Sequence, residues 1–192
     1  YELKNNLNFD TNKNGQLDAQ DDYWNGGRGW VPIGNFSSNF VGVFEGNGFA
    51  LEHFFIDYPG GQVGLFYGIE EAYIRNLAMV DFKIQADAGG PLAAKVLGGR
   101  INGVYMRGEF SCTGASSSLV GGLVGDSFYE VSISNSLIAT DISCPGGSVS
   151  GLGTWNADLF TANLNRAILV LGQLNFIKSE FREGYAFANA GL

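Results

Sequence analysis

Three segments lie over one another almost residue by residue: IRNLAMVDF (74–82), INGVYMRGEF (101–110) and ISNSLIATDI (133–142). LNRAILVLGQL (164–174) is a looser fourth copy, and VGVFEGNGFALEHFFID (41–57) is an earlier, shorter one. Aligned on Ile74, Ile101, Ile133 and Leu164, the copies recur at steps of 27, 32 and 31 residues. A small, apolar cluster precedes each of them: VGLFYG (63–68), AAKVLGG (93–99), VGGLVG (120–125) and VSGLG (149–153). Aligning Leu65, Val96, Leu123 and Leu152 puts those clusters at steps of 31, 27 and 29.

Each copy holds short runs that are apolar or alternate apolar with polar, separated by Gly, Asn, Asp or Ser. Those are strand and turn signals. Helical periodicity is confined to a short piece near Asp158 to Asn165. A strand-only repeat of this length cannot bury a core alone, but stacked copies share one. The expected fold is an all-β parallel β-helix of about five coils, each of roughly 27–32 residues, with like positions about 4.8 Å apart. The general bias of parallel crossovers makes it right-handed. A β-sandwich or barrel also uses many short strands, but it does not require two anchors to recur in the same order. The expected organisation is an N-terminal coil with an inserted loop and cap (1–40), stacked repeats (41–167) and an irregular C-terminal cap or coil (168–192).

Composition narrows the function. Apolar residues make up 45% of 192, enough for a core, and 29 glycines without a triplet period imply many tight turns. A net charge of −8 argues against nucleic acid and against anionic membrane surfaces. No apolar run is long enough to span a bilayer, so no membrane insertion is expected. The chain opens at Tyr1 in mid-pattern and reads as a mature product or an excised module.

The two cysteines test the stacking. Cys112 lies eleven residues after Ile101, and Cys144 lies eleven after Ile133. Successive coils bring like positions to about 5 Å, inside the range that a disulfide requires. A Cys112–Cys144 bridge between neighbouring coils is therefore expected, and with it folding outside a reducing compartment.

The stretch FDTNKNGQLDAQDDYW (9–24) does not fit the repeat. Counted from Asp10, side-chain oxygens fall at positions 1 (Asp10), 3 (Asn12), 5 (Asn14), 9 (Asp18) and 12 (Asp21). Gly15 stands at position 6, where such a loop turns sharply. Gln16 at position 7 offers a backbone carbonyl, and Leu17 can anchor the loop to the body. This is the spacing of an EF-hand-type calcium loop, in which a curled backbone supplies oxygens to a hard cation. Asp at position 12 replaces the usual Glu, as in dockerin-type loops, and Asn at positions 3 and 5 lowers the charge. The competing reading is an Asx-rich turn satisfied by its own backbone. The expected cofactor is a structural Ca²⁺, because no clear pair of amphipathic helices flanks the loop to open and close.

NFDTNKNGQLDAQDDYWNGGRGWVPIG, FVGVFEGNGFALEHFFID, VGLFYG, IRNLAMVD and VGGLVG together resemble bacterial surface proteins of the GLUG-repeat type, with Gly122-Leu123-Val124-Gly125 as the step that names the repeat. The resemblance covers roughly residues 1–155. It implies a β-solenoid in an exported, haemagglutinin- or adhesin-like protein, or in the accessory region of a surface peptidase, and it supplies no catalytic residue.

Constellations for catalysis are scarce. His53 is the only histidine, and no zinc motif, nucleophile elbow or phosphate-binding loop occurs. The enzyme alternative is a polysaccharide lyase or glycosidase built on outward Asp57, Arg75, Asp81, Arg107 and Glu109. There Asp81 and Glu109 would be neighbours on adjacent coils, as two carboxyls flanking a bond. The expectation is instead a non-catalytic, extracellular or cell-surface module, acting in adhesion or as a stalk. Its partners would be neighbouring modules and a host-cell or matrix glycan or protein, which exposed tyrosines among Tyr58, Tyr67, Tyr73, Tyr105, Tyr129 and Tyr185 could contact.

Overall fold

The computed structural model describes residues 1–112, 119–129, 131–144, 148–150, 154–155 and 168–169. Among them the only helical element is a 3-10 turn at Asn25–Gly27. The early strands are β1 (Leu7–Asn8), β2 (Val43–Glu45), β3 (Ala50–Glu52) and β4 (Phe55–Val63). Then come β5 (Phe66–Arg75), β6 (Ala78–Gly89), β7 (Ala93–Asn102) and β8 (Tyr105–Cys112). Next are β9 (Leu119–Gly121), β10 (Val124–Ser127), β11 (Val131–Ser134) and β12 (Leu137–Ser143). The last three are β13 (Ser148–Ser150), β14 (Thr154–Trp155) and β15 (Ile168–Leu169).

These strands form two sheets, and every pairing between named strands is parallel. One sheet runs β1-β3-β6-β8-β12-β15, and the other runs β14-β10-β7-β5-β2. The chain alternates between them, which makes the molecule a β-solenoid. Between Phe44 and Ile133 it completes three coils, through the registers Phe44↔Ile74, Ile74↔Ile101 and Ile101↔Ile133. β1 precedes those coils, and β14 and β15 follow them. Ile168 and Leu169, the first residues of the expected C-terminal cap, continue the ladder on Leu137 and Ile138. The rest of that cap, 170–192, lies outside the described residues, as do Leu152 and Leu164.

The core is a set of side-chain columns. One runs Leu51, Met79, Met106 and Ile138, and another runs Ile56, Ile84, Phe110 and Ile142. All eight are at most 2% exposed. Burial of a side chain of this size is worth about 1.5–3 kcal/mol. Within a column each residue is covered by the same position of the coils above and below.

Each coil passes from one sheet to the other through a two-residue corner. A left-handed residue comes first and an inward one second: Asn76-Leu77, Gly103-Val104 and Asn135-Ser136. Asn and Gly are the residues that tolerate that backbone, and this is the physical content of the repeated IRN, ING and ISN. Ser136 takes the place of Leu77 and Val104. Its hydroxyl is satisfied there, donating to the Ser134 carbonyl and accepting from the Val104 N–H.

Two expectations need correction. The alignment of Leu65 with Val96 does not hold, because the register pairs Ile69 with Val96 and Phe66 with Ala93. Leu92 therefore holds the Leu65 position, and the Leu92 N–H bonds to the Leu123 carbonyl on the next coil. The apolar run PLAAKV offers two frames four residues apart, and Gly99 imitates a partner for Gly68, which the register sets opposite Lys95. The second correction concerns Asp81 and Glu109. Asp81 is an extra residue in β6, with φ 55°, between Val80 (opposite Arg107) and Phe82 (opposite Gly108). Without that bulge, strict alternation would turn Phe82 outward and Asp81 into the core. Glu109 consequently faces Lys83, not Asp81. Gly108 makes room for the displaced ring: a Cβ there would lie 2.5 Å from Phe82 Cγ.

Cys112 and Cys144 are disulfide-bonded with Cα atoms 4.6 Å apart, continuing the in-register pair Ser111↔Ser143. Replacing both by alanine is expected to lower the unfolding free energy by about 3 to 4 kcal/mol. Gly108→Ala should cost about 1 to 3 kcal/mol. Urea unfolding measures both, and a Gly108→Ala midpoint equal to wild type would show that Phe82 does not fill that space.

Candidate functional site

The loop from Asp10 to Arg28 is inserted into the first coil. β1 is followed 44 residues later by its partner in β3 (Leu7↔Leu51), whereas Leu51↔Met79 and Met79↔Met106 are 28 and 27 apart. Before the loop, Glu2 bridges to Glu45 on one sheet and Leu7 pairs on the other. After it, Ile33 and Phe40 bridge in parallel to Phe66 and Ile69. The coil thus closes on both sides of the insertion.

Aromatic side chains hold the feet of the loop. Phe9 is buried, with ring centroids 4.6 Å from Tyr23, 5.8 Å from Trp30 and 5.1 Å from Phe54. Trp30 Nε1 donates to the Leu65 carbonyl at 3.1 Å, which fixes its ring. Leu17 packs against the core, as its position in the loop required. His53, in a left-handed bend, places Nδ1 3.0 Å from Asn8 Oδ1, and that oxygen also accepts the Asp10 N–H.

The oxygens of the loop face inward onto its own backbone. Asp10 accepts the Asn14 and Gly15 N–H groups at 3.1 and 2.9 Å. Asp21 accepts the Thr11, Asn12 and Asp18 N–H groups at 2.7, 3.2 and 2.9 Å. Asn12 Oδ1 accepts from Asn14 N–H, and Asn14 Oδ1 from Gln16 N–H. The amide NH₂ groups of Asn12 and Asn14 are given to Asp18, at 3.3 and 2.8 Å. Lys13 and Gly15 take left-handed backbone to make this curl. Asp10 and Asp21 are buried, and among the described residues no Lys or Arg forms an ion pair with Asp10, Asp18 or Asp21. In this arrangement no three His, Cys, Asp or Glu side chains among the described residues stand close enough to hold a metal ion together.

Of the residues considered for polysaccharide chemistry, Arg75, Asp81, Arg107 and Glu109 are dispersed among separate cross-coil neighbours, and Asp57 stands apart with its Oδ1 buried and without a hydrogen-bond partner. Arg75 is bridged to Glu45, and Arg107 to Asp81 at 2.8 Å. Glu109 lies in register between Lys83 and Asp141.

Comparison with known proteins adds distant likenesses. No protein-family model matches the chain, and no solved structure matches it. It is 38% identical over 81 residues to a protein of Evansella cellulosilytica described as a Gly-rich membrane protein, a match covering 41% of this chain and 9% of that protein. It is 31% identical over 132 residues to a Haloquadratum walsbyi protein named halomucin, covering 67% of this chain and 1% of that protein. The chain therefore spans only a small part of the relatives it matches.

Two carboxyls titrate in opposite senses. The Asp18 N–H, followed by those of Asn12 and Thr11, holds the Asp21 carboxyl below the ordinary value of 3.8, against the opposing effect of burial. Its stabilising contribution is complete above that value and is lost as pH falls through the lower folded one. Burial pushes the Asp126 carboxyl up, despite the Ser127 N–H. Its contribution is present below 3.8 and is lost as pH rises through the higher folded value. In chelator at neutral pH, Asp21→Asn should lower the melting temperature and Asp126→Asn should raise it. The Asp126→Asn gain should vanish at about pH 3, and a gain that persists there would refute the burial argument.

Proposed function

We infer that the chain is a non-catalytic, calcium-stabilised β-solenoid module of a longer exported bacterial surface protein, serving as a stalk or in adhesion. What supports the stalk is the column itself: parallel coils in register, joined by an inter-coil disulfide, can be lengthened by adding coils. The names of the two relatives, a membrane protein and halomucin, and the small share of each that the chain spans, support a module of a large surface protein. The GLUG-type resemblance points the same way. The disulfide supports an oxidising location.

What supports the ion is the electrostatics of the insertion. Three carboxylates, Asp10, Asp18 and Asp21, share one loop without a cationic partner among the described residues. The side-chain oxygens of Asp10, Asn12, Asn14, Asp18 and Asp21, with the Gln16 carbonyl, are the oxygen donors that Ca²⁺ takes. Both oxygens of Asp10, with Asp18 Oδ2 and Asp21 Oδ2, accept one hydrogen bond each and keep lone-pair capacity, whereas Asp18 Oδ1 and Asp21 Oδ1 are already filled. The amide hydrogen bonds from Asn12 and Asn14 to Asp18 are what a cation would replace. The bound ion would pin the first coil, where a solenoid needs an end.

Thermal melts with Ca²⁺ and with chelator test this reading. A Ca²⁺ concentration about 100-fold above its dissociation constant should stabilise the fold by about 2.7 kcal/mol. The shift should be absent in a variant carrying Asp10→Asn and Asp21→Asn. Equal melting with and without Ca²⁺ would remove the ion from the account.

A further inference from the structure

Beside the loop, where the first coil meets the second, lies an open groove of about 360 Å³. Its walls include Trp30, Phe36, Tyr58 and Tyr67. Phe36 is 80% exposed at the tip of a tight turn, closed by reciprocal backbone hydrogen bonds between Asn35 and Ser38 at 2.9 and 3.1 Å. A large ring held in solvent on so rigid a turn has no packing role in the solenoid. Tyr58 is 47% exposed and lies flat over Gly61, where a Cβ would come within 1.9 Å of Tyr58 Cδ1. Only glycine lets that ring lie down.

Charge sets the groove apart from the rest of the surface. The chain carries 19 acidic and 11 basic residues, yet no Asp or Glu lines the groove. Two cations stand over its rings instead. The Arg28 guanidinium is 5.8 Å from the centroid of Tyr58, and Lys95 Nζ is 5.3 Å from that of Phe36 and 5.2 Å from that of Tyr67. Neither has a carboxylate partner among the described residues. Asn25, Asn35 and Gln62 add amide donors and acceptors at the rim. Flat rings stack on sugar faces, amides bond hydroxyls, and two separate cations suit widely spaced single negative charges. The segment 170–192 offers no such match, since Lys178 and Arg182 balance Glu180 and Glu183.

We propose that this groove binds an acidic polysaccharide, a chain in which uronate sugars alternate with neutral ones. The proposal deepens the adhesive half of the function inferred above and rests on it, but it does not depend on calcium. Calorimetric titration with short oligosaccharides of alternating glucuronate and N-acetylglucosamine tests it, against neutral N-acetylglucosamine oligomers of equal length, in Ca²⁺ and in chelator. The acidic ligand should bind at least about ten-fold more tightly and weaken with added salt. Phe36→Ala and Tyr58→Ala should each weaken it about five-fold or more. Arg28→Gln with Lys95→Gln should erase the preference for acid, while Lys83→Gln, outside the groove, should change nothing. Melting curves of the variants report their folding, and Gly61→Ala supplies a second way to displace Tyr58. Equal affinity for neutral sugars, acidic binding indifferent to Phe36 and Tyr58, or a dimer that Phe36→Ala dissociates would each overturn the proposal. Glycan binding that persists without any calcium shift would sink the ion and keep the groove. A calcium shift without glycan binding would leave a stalk.

Discussion

Everything in this molecule depends on identical positions of successive coils lying directly above one another. A parallel ladder spaces them about 4.8 Å apart, so an inward Leu, Met or Ile meets the corresponding side chain of the next coil before it meets anything else. The column from Leu7 through Leu51, Met79 and Met106 to Ile138 shows this along the described chain. No single coil has an opposite face thick enough to shield its own apolar side. The disulfide obeys the same rule, joining positions that the ladder has already brought together.

Features that interrupt the columns are each compensated locally. The bulge at Asp81 keeps Phe82 inward, Gly108 yields the space for its ring, and Arg107 meets the extra carboxylate. Ser136 enters a column of Leu77 and Val104 with both capacities of its hydroxyl used. The insertion at Asp10 leaves the first coil intact because Phe9 and Tyr23, at its two feet, pack against each other. The loop sits on that coil and the aromatic groove between it and the next, while the later coils are given over mainly to stacking.

The fold was legible wherever the sequence repeats. Ile74, Ile101 and Ile133 do stack at the intervals read from the chain, and the cysteine register followed from them. What misled was local ambiguity. The small-residue clusters offered Val96 in place of Leu92, because glycines flank both. The Asp81 bulge was invisible because one extra residue in a strand looks like any other alternation. The loop was legible in its spacing, but the spacing does not reveal how far its carboxylates are occupied by their own backbone N–H groups. The groove was least legible: Phe36 and Lys95 are 59 residues apart, and only the coil brings them together.

Site-directed cross-linking tests the stacking most directly. Tyr73 and Arg100 are Cα partners on neighbouring coils and stand outside the core. Tyr73→Cys with Arg100→Cys should form a disulfide spontaneously under mild oxidation, detected by peptide mass spectrometry, with the native bridge retained. Tyr73→Cys with Asn102→Cys, two positions out of register, should not. Equal cross-linking of the two pairs, or failure of the first alone, would contradict a column of coils in register.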